Sequence, residues 1–347
     1  TQVDIEMSFA EPEGIFGLIE GLMVSVFELI GEKIETPFPR LSYQESLDKY
    51  GSDKPDLRAG MEIRDLASLA PGLGSEIIQK ALDAGGVLKG LAVKGAGGWS
   101  RSQFDKLNDK AKSLGAQGIF WVKRAGGWKS SLKVGEAGLA LIWDAMEAGE
   151  SDLVLLAAGK RETSLKVLGE IRKGLIPEAV EGKKLFRFAW ITDFPLFEWS
   201  EEEGRLVAMH HPFTSPHVED LPLLETEPGK VRAKAYDVVL NGYELGGGSI
   251  RIHDIEVQKR VFAALKMTEK EAEDKFGFFL EALRYGAPPH GGVALGFDRL
   301  IMLLAGEESL REVIAFPKTT SAYDLMSGSP SDVSERQLDE LGLKLKS

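Results

Sequence analysis

Residues 1–9, TQVDIEMSF, alternate strictly: Gln2, Asp4, Glu6 and Ser8 face one way, and Val3, Ile5, Met7 and Phe9 face the other. A period of two predicts a half-buried strand whose polar face carries two acids and an amide. From Ile15 to Ile30 the apolar positions switch to helical spacing, and the helix should stop near Gly31. After the prolines at 37 and 39, GSDKPDLR (Gly51–Arg58) is rich in turn formers and reads as a boundary. From about 59 to 181 the texture changes to many Gly and Ala, with a helix predicted over 102–114 and a strand over 118–123; this stretch reads as an inserted domain. FRFAWITDFPLFEW (186–199) is a long apolar strand broken at Pro195, followed by a polar loop. Two helices are predicted next, one over 255–266 and one opened by Thr268 with Glu271 as a capping box. PPHGGVALGFDRLIMLL (288–304) is a small-residue strand that enters a helix at Phe297, and a tail with Ser, Asp and Pro completes the chain. The expected division is 1–58, 59–181 and 182–347.

The richest local pattern is AYDVVLNGYELGGGSIRIH, from Ala235 to His253. Asn-Gly between β-branched and aromatic residues is the strongest short-range hairpin signal. A two-residue turn at Asn241-Gly242 sets Leu240 opposite Tyr243 and Val239 opposite Glu244. Asp237 and Glu244 then share a face as diagonal neighbours roughly 7–8 Å apart or less. Two carboxylates so held can share a hard cation; the bland alternative is a pair of solvated acids on an amphipathic hairpin. Gly246-Gly247-Gly248 removes three side chains in succession, which suggests a bulge or a close backbone approach to a ligand. Arg251 follows with its fork of donors.

Composition narrows the class. With 347 residues, 43% of them hydrophobic, the chain can build a sizeable core, and a length prior of ~150 residues per domain suggests about two domains. No apolar run approaches the ~20 residues that span a bilayer, and the first residues lack a signal-peptide pattern, so a soluble cytoplasmic protein without a membrane partner is expected. The absence of cysteine excludes disulfides, thiolate metal sites and a cysteine nucleophile. A net charge of −12 argues against broad nucleic-acid affinity, so any polyanion must meet a local patch. One patch exists. Between Ala84 and Gly135 ten Lys or Arg face only Asp105 and Asp109, and AGGW occurs twice, at Ala96–Trp99 and Ala125–Trp128. The tryptophans could stack on nucleotides; the simpler reading makes them loop anchors beside a solvated basic face.

All five histidines, at 210, 211, 217, 253 and 290, fall between the polar loop after Trp199 and Gly291 and suggest a site. Adjacent His210 and His211 diverge on any regular backbone, which is weak metal-ligand geometry. A polar or charge-recognition role for one of the pair fits better. Asp237 with Glu244 suits Mg²⁺, which takes one or two carboxylates and completes its shell with water and substrate phosphates. There is no GxxxxGK[ST], which excludes a P-loop, and GGG without a strand-to-helix setting is no dinucleotide fingerprint. Arg299 at a helix start could stack on a base or pair with phosphate.

TQVDIEMSF, GSDKPDLR, FPLFEW, MHHPFTSP, AYDVVLNGYELGGGSIRIH, FGFFLEALRYGAPPHGGVALGFDRL and IAFPK follow one another in an order and spacing that closely resembles bacterial-type aspartyl-tRNA synthetase, a class II synthetase. The resemblance covers nearly the whole chain, most specifically Phe194 to Lys318 and more loosely the inserted stretch. It implies an α+β fold in which a mainly antiparallel sheet is flanked by helices. It places Gln2 and Asp4 at the α-ammonium of L-aspartate, and His210 and Arg251 at the side-chain carboxylate. It implies Mg²⁺ held on ATP by Asp237 and Glu244. GFDR (Gly296, Phe297, Asp298, Arg299) matches motif 3, with Arg299 on the adenine and γ-phosphate side. The insertion would lie toward tRNA, with Lys123, Arg124 and Lys129 as candidate contacts.

The reaction so implied is ATP-dependent activation of aspartate and transfer to tRNA-Asp, with tRNA-Asn as a second acceptor left open. The family's anticodon-binding barrel, dimer-forming motif 1 and first part of motif 2 have no counterpart here, so a fragment of a longer, homodimeric protein is expected. Two other readings stand beside this one: a non-catalytic paralogue that senses aspartate or ATP, and a His/Asp metallohydrolase.

Overall fold

The apolar run Phe188–Thr192 becomes the strand on which the larger sheet is built: Trp190 and Ile191 are fully buried, on opposite faces. The computed structural model describes residues 1–124, 126–181 and 184–345, apart from the side chain of Glu178. In chain order the described strands are β1 (Gln2–Ser8), β2 (Arg40–Ser42), β3 (Ile63–Asp65), β4 (Val87–Val93), β5 (Phe120–Lys123), β6 (Lys129–Ser130), β7 (Leu153–Gly159), β8 (Phe188–Thr192), β9 (Phe197–Ser200), β10 (Arg205–Ala208), β11 (Ala235–Leu240), β12 (Tyr243–Ile250) and β13 (His290–Gly296). The larger sheet runs β1-β13-β12-β11-β8-β2. Its β8, β11 and β12 pair antiparallel, while β2 joins β8 in parallel. The class is α+β. Residues Asp4–Ala294 form one compact unit, and Thr1–Val3 with Leu295–Ser347 form another.

The helix Pro12–Glu28 covers one face of this sheet. Phe16 stacks on Trp190 at 4.3 Å and meets Tyr236 edge-on at 5.2 Å. Glu20 is buried beside them. Its carboxylate accepts the Trp190 indole N–H at 3.0 Å and the Phe38 amide at 3.1 Å, the satisfaction that a buried acid requires. On the opposite face Leu41, Ala189, Ile191, Phe194, Ala235 and Val239 form a second core. Asp237 shares the alternation of Ala235 and Val239 and therefore belongs to that second face.

The burial of β1 alternates as predicted, polar positions out and apolar positions half in. The helices at 102–114 and 255–266 appear as Arg101–Ser113 and Ile255–Ala264, and the Thr268–Glu271 capping box opens Glu269–Tyr285. The long strand at 186–199 is instead two. β8 ends at Thr192, Asp193 takes a left-handed φ of 56°, and β9 leaves to pair with β10 in a separate two-stranded sheet. Proline cannot donate to the ladder, and Phe194 and Leu196 bury themselves at the bend.

Residues 59–181 carry their own antiparallel sheet, β3-β4-β7-β5-β6, with apolar clusters on both sides, and lie within the unit Asp4–Ala294, which also holds β2, β8, β11 and β12. Trp99 and Trp128 are packed into those clusters, Trp128 edge-on to Trp143 at 5.7 Å, as loop anchors rather than free stacking platforms. Ala125, the first residue of the second AGGW, lies outside the described residues. The basic stretch is also less free than its local count suggests. Lys89 is buried between Asp65 at 2.9 Å and Asp48 at 3.5 Å, Lys94 pairs with Asp152 at 3.0 Å, and Lys110 lies 3.5 Å from Glu170. No helix among the described residues is long and apolar enough to cross a membrane.

Candidate active site

The Asn241-Gly242 turn forms as predicted, both residues having positive φ, at 52° and 85°. Asn241 is locked there: its side-chain oxygen accepts the Arg187 amide at 2.9 Å and its amide donates to the Leu185 carbonyl at 2.7 Å. Leu240 pairs with Tyr243 and Val239 with Glu244, and then the register shifts by one so that Val238 meets Gly246 and Asp237 meets Gly247. The bulge falls beyond Glu244. Asp237 and Glu244 consequently share a face.

Two of the three glycines, Gly247 and Gly248, are explained by neighbouring protein atoms. A Cβ on Gly247 would come within 2.4 Å of the Asp237 carboxylate, and one on Gly248 within 1.9 Å of the Gly292 carbonyl. Neighbouring Gly292 could carry no side chain either, because its Cβ would sit 2.1 Å from the Ile5 carbonyl. The sheet is drawn together at this point, around the acid pair.

Asp237 is 6% exposed. Burial, reinforced by the negative charges of Glu244 and Asp53, pushes its carboxyl up to about 7, with Lys54 opposing. Lys54 meets Glu244 directly, Nζ to Oε2, at 2.8 Å. The segment bearing Asp53 and Lys54, GSDKPDLR, is a boundary and a family motif in sequence, with no site role assigned to either residue. Its proximity to the hairpin follows from a contact distant in sequence: Asp56 packs against Gly242, 3.3 Å from where a Cβ would stand.

His210 has an exposed edge yet sits in a crowded hollow, its ring edge-on to Phe194 at 4.7 Å. Desolvation holds its pKa below the ordinary value, against the pull of Glu244, Asp53 and Glu198. It thus belongs with the acids. Of the two adjacent histidines that could join Arg251 in reading a carboxylate, His211 rather than His210 lines the cleft with it and feels its charge.

Arg251, just beyond β12, lines a cleft of about 470 Å³ with Glu6, His211, Phe213, Phe279 and His290. Its guanidinium lies 3.8 Å from Glu6, a residue that sequence reading placed on the polar face of β1 but assigned no role. Burial, with Arg251 nearby, keeps His211 below its usual pKa and therefore neutral at pH 7. The Phe213 amide donates to His211 Nδ1 at 3.3 Å, which puts the ring proton on Nε2. The cleft thus offers a guanidinium fork and a neutral imidazole donor, a pair suited to a carboxylate.

Gln2 and Asp4 lie on the exposed face of β1. Gly296 ends β13, Phe297 opens the helix Phe297–Ala305, Asp298 accepts from the Thr1 amino group at 2.8 Å, and Arg299 is half-buried. Lys123 donates to the Trp99 carbonyl at 2.9 Å and sits over the Phe104 and Trp121 rings, so it fastens a loop; Arg124 lies over Trp128, and Lys129 is exposed. His217 pairs with Asp193 at 2.9 Å. Among the described residues no three His, Cys, Asp or Glu converge as a metal-holding group, which leaves the hydrolase reading without a ligand set there. The Asp237–Glu244 pair remains apt for Mg²⁺, which needs only one or two protein carboxylates when phosphates complete its shell.

A family profile described as tRNA synthetases class II (D, K and N) matches residues 1–320. The chain belongs to this synthetase family. An aspartate–tRNA(Asp/Asn) ligase of Thermodesulfovibrio yellowstonii is 46% identical over 359 residues, covering 99% of this chain and 60% of the relative. One of Caldanaerobacter subterraneus subsp. tengcongensis is 48% identical over 353 residues, covering 99% of this chain and 59% of the relative. The solved aspartyl tRNA synthetase of Entamoeba histolytica is 17% identical, with a TM-score of 0.42, over 93% of this synthetase chain and 44% of its own. This synthetase chain spans about 60% of the length of the curated relatives it matches.

Proposed function

We propose that this chain carries the amino-acid-activating centre of an aspartate–tRNA ligase: ATP and L-aspartate form aspartyl-adenylate, and the aspartyl group passes to tRNA-Asp. The observation that carries the reading is the single strand β12, which holds Glu244 beside Asp237 and hands over to Arg251 in the cleft. One strand thus fixes the distance between a cation site and a carboxylate site. The kinship with ligases of the same substrate class supports it.

In this reading Arg251 takes the side-chain carboxylate, with the Nε2 proton of His211 beside it and His210 nearer the acids, while Gln2 and Asp4 face the α-ammonium. Asp237 and Glu244 would hold Mg²⁺, whose charge would offset that of ATP. Gly296, Phe297, Asp298 and Arg299, the match to motif 3, are the proposed ATP-binding residues. The chain's own contribution is positioning and charge, with no protein nucleophile: the aspartate α-carboxylate attacks the α-phosphorus in line and pyrophosphate leaves. The 59–181 stretch, where Arg124 lies over the Trp128 ring and Lys129 is exposed, is the proposed side for tRNA. A homodimer acting in the cytoplasm completes the proposal.

The test is aspartate-dependent ATP–pyrophosphate exchange, measured on this chain and on a protein of the relatives' full length that contains it. Robust exchange in the longer protein supports the reading; none with aspartate overturns it. Charging of tRNA-Asn alongside tRNA-Asp would assign the wider acceptor range.

A further inference from the structure

We propose that Lys54 is a built-in counter-ion for the Asp237–Glu244 pair, its ammonium holding the cation position at Glu244 until a divalent metal takes it. The inference rests on the reading of that pair as the metal site and adds a residue to it. Most surface ion pairs amount to little, because two long side chains must be ordered at the expense of entropy. Here the backbone on both sides of Lys54 is fixed in advance, and the residues that fix it lie far away in sequence.

Three contacts clamp the loop. Gly51 has φ +67°, and a Cβ there would lie 2.3 Å from the Leu165 carbonyl and 2.7 Å from the Gly169 Cα. The helix Arg161–Ala179 thus presses directly on the loop's entry. Arg172 of that helix, 2% exposed, closes the exit: its guanidinium donates to the carbonyls of Met61 at 3.0 Å, Gly60 at 2.7 Å and Asp56 at 2.5 Å, and lies over the Tyr50 ring. Asp56 abuts the Asn241-Gly242 turn, and Pro55 and Asp56 are both buried. Between these anchors the Lys54 amide donates to Ser52 Oγ at 3.0 Å, and its side chain meets Glu244 at 2.8 Å.

The chemistry gives the contact a purpose. Two carboxylates on one face repel, and Asp237 is nearly withdrawn from water, so the pair needs a cation before any nucleotide arrives. Lysine supplies a compact point charge. It occupies the Glu244 oxygen that a hard cation would use, so bare metal must displace it, whereas metal arriving on a nucleotide brings phosphates that the ammonium can turn to. The site thereby favours the metal–nucleotide complex over free metal.

The experiment titrates Mn²⁺, without nucleotide, into the unaltered chain, Lys54→Met, Lys54→Arg and Glu244→Gln, read by electron paramagnetic resonance of free Mn²⁺. The expected result is a dissociation constant about two- to fivefold lower in Lys54→Met, the factor that an ion pair of this exposure corresponds to, and one near the unaltered value in Lys54→Arg. Equal or weaker binding in Lys54→Met overturns the proposal, as does tightening in Lys54→Arg. Mn²⁺ binding that ignores Glu244→Gln overturns it together with the metal role of the pair. A matching far-ultraviolet circular dichroism spectrum secures the fold of each variant, Lys54 being a largely exposed side chain. Aspartate, ATP and tRNA are absent from the titration, so a failed exchange assay counts against the ligase reading alone.

Discussion

Glu244 sits directly across the ladder from Val239, and Asp237, two residues before Val239, therefore points to the same side of the sheet. The acid pair is thus a product of strand alternation and one tight turn. Its two members differ in surroundings, Asp237 nearly enclosed and Glu244 partly open, and substitutions should separate accordingly. Glu244→Gln should depress aspartate-dependent pyrophosphate exchange at least tenfold while altering stability by under ~0.5 kcal/mol, the usual scale for a partly exposed polar position. Parental exchange in that variant would remove Glu244 from the metal site.

Arg251 offers a two-pronged fork to a carboxylate, and asparagine's amide would turn N–H donors toward that cation. Arg251→Leu should therefore cost aspartate activation about 3 kcal/mol or more, the order seen when one member of a buried charge pair is removed. Asparagine use should stay poor. The measurement is kcat/KM for both amino acids in exchange, and near-parental aspartate preference would withdraw the assignment.

Gly248 has no room for a methyl group: its Cβ would stand 1.9 Å from the Gly292 carbonyl and 2.8 Å from the Val293 Cα. Gly248→Ala must push β12 away from β13 and should lower stability by about 2 kcal/mol or more, the range of an overpacked core. Chemical denaturation reads this; a change under ~0.5 kcal/mol would show that the strands can part freely.

The basic stretch divides by what its side chains already do. Arg124→Ala with Lys129→Ala should weaken tRNA binding and reduce its salt slope by about one unit per lost phosphate contact. Lys123→Met should instead cost about 1 kcal/mol of stability through the lost bond to the Trp99 carbonyl. Filter binding across a salt series, with an unaltered slope for the double variant, would make this face merely solvated.

Asp220 receives the Arg232 guanidinium and amide at 2.8 to 3.0 Å, and the side-chain hydrogen bond holds its carboxyl below the usual range. A lowered folded-state pKa gives stability that is present above the unfolded value of ~3.9 and is lost as pH falls through the folded one. Asp220→Asn should remove about 2 kcal/mol near pH 7 and leave the acid limb of the stability profile shallower. Denaturation midpoints at pH 7 and pH 3 that fall in parallel for both proteins would refute the linkage.

What could be read from the sequence was local. The Asn241-Gly242 turn, the alternation of β1 and the Thr268–Glu271 cap each depend on residues within a few positions of one another, and each formed as expected. The bulge beyond Glu244 was suggested by the glycines, but what denies Gly248 a side chain is Gly292 on another strand, and what denies Gly247 one is Asp237. His211 rather than His210 lines the cleft with Arg251, a choice between adjacent side chains that is made by the backbone path, which local sequence leaves open. Lys54 and Arg172 were out of reach for the same reason: a loop and a helix more than a hundred residues apart decide where each side chain ends. The basic stretch looked freer than it is because Asp48, Asp65, Asp152 and Glu170 lie outside the window that was counted.

Arg172 also bears on how this protein can be cut. An engineer who excised residues 59–181 and rejoined the ends would leave the Asp56 carbonyl without its donor, with the Tyr50 ring uncovered and the Gly51 bend resting on nothing. The trimmed protein would keep every acid of the hairpin but lose the brace that aims a lysine at them. A minimal version of this sheet would need a new prop beneath that loop before anything else.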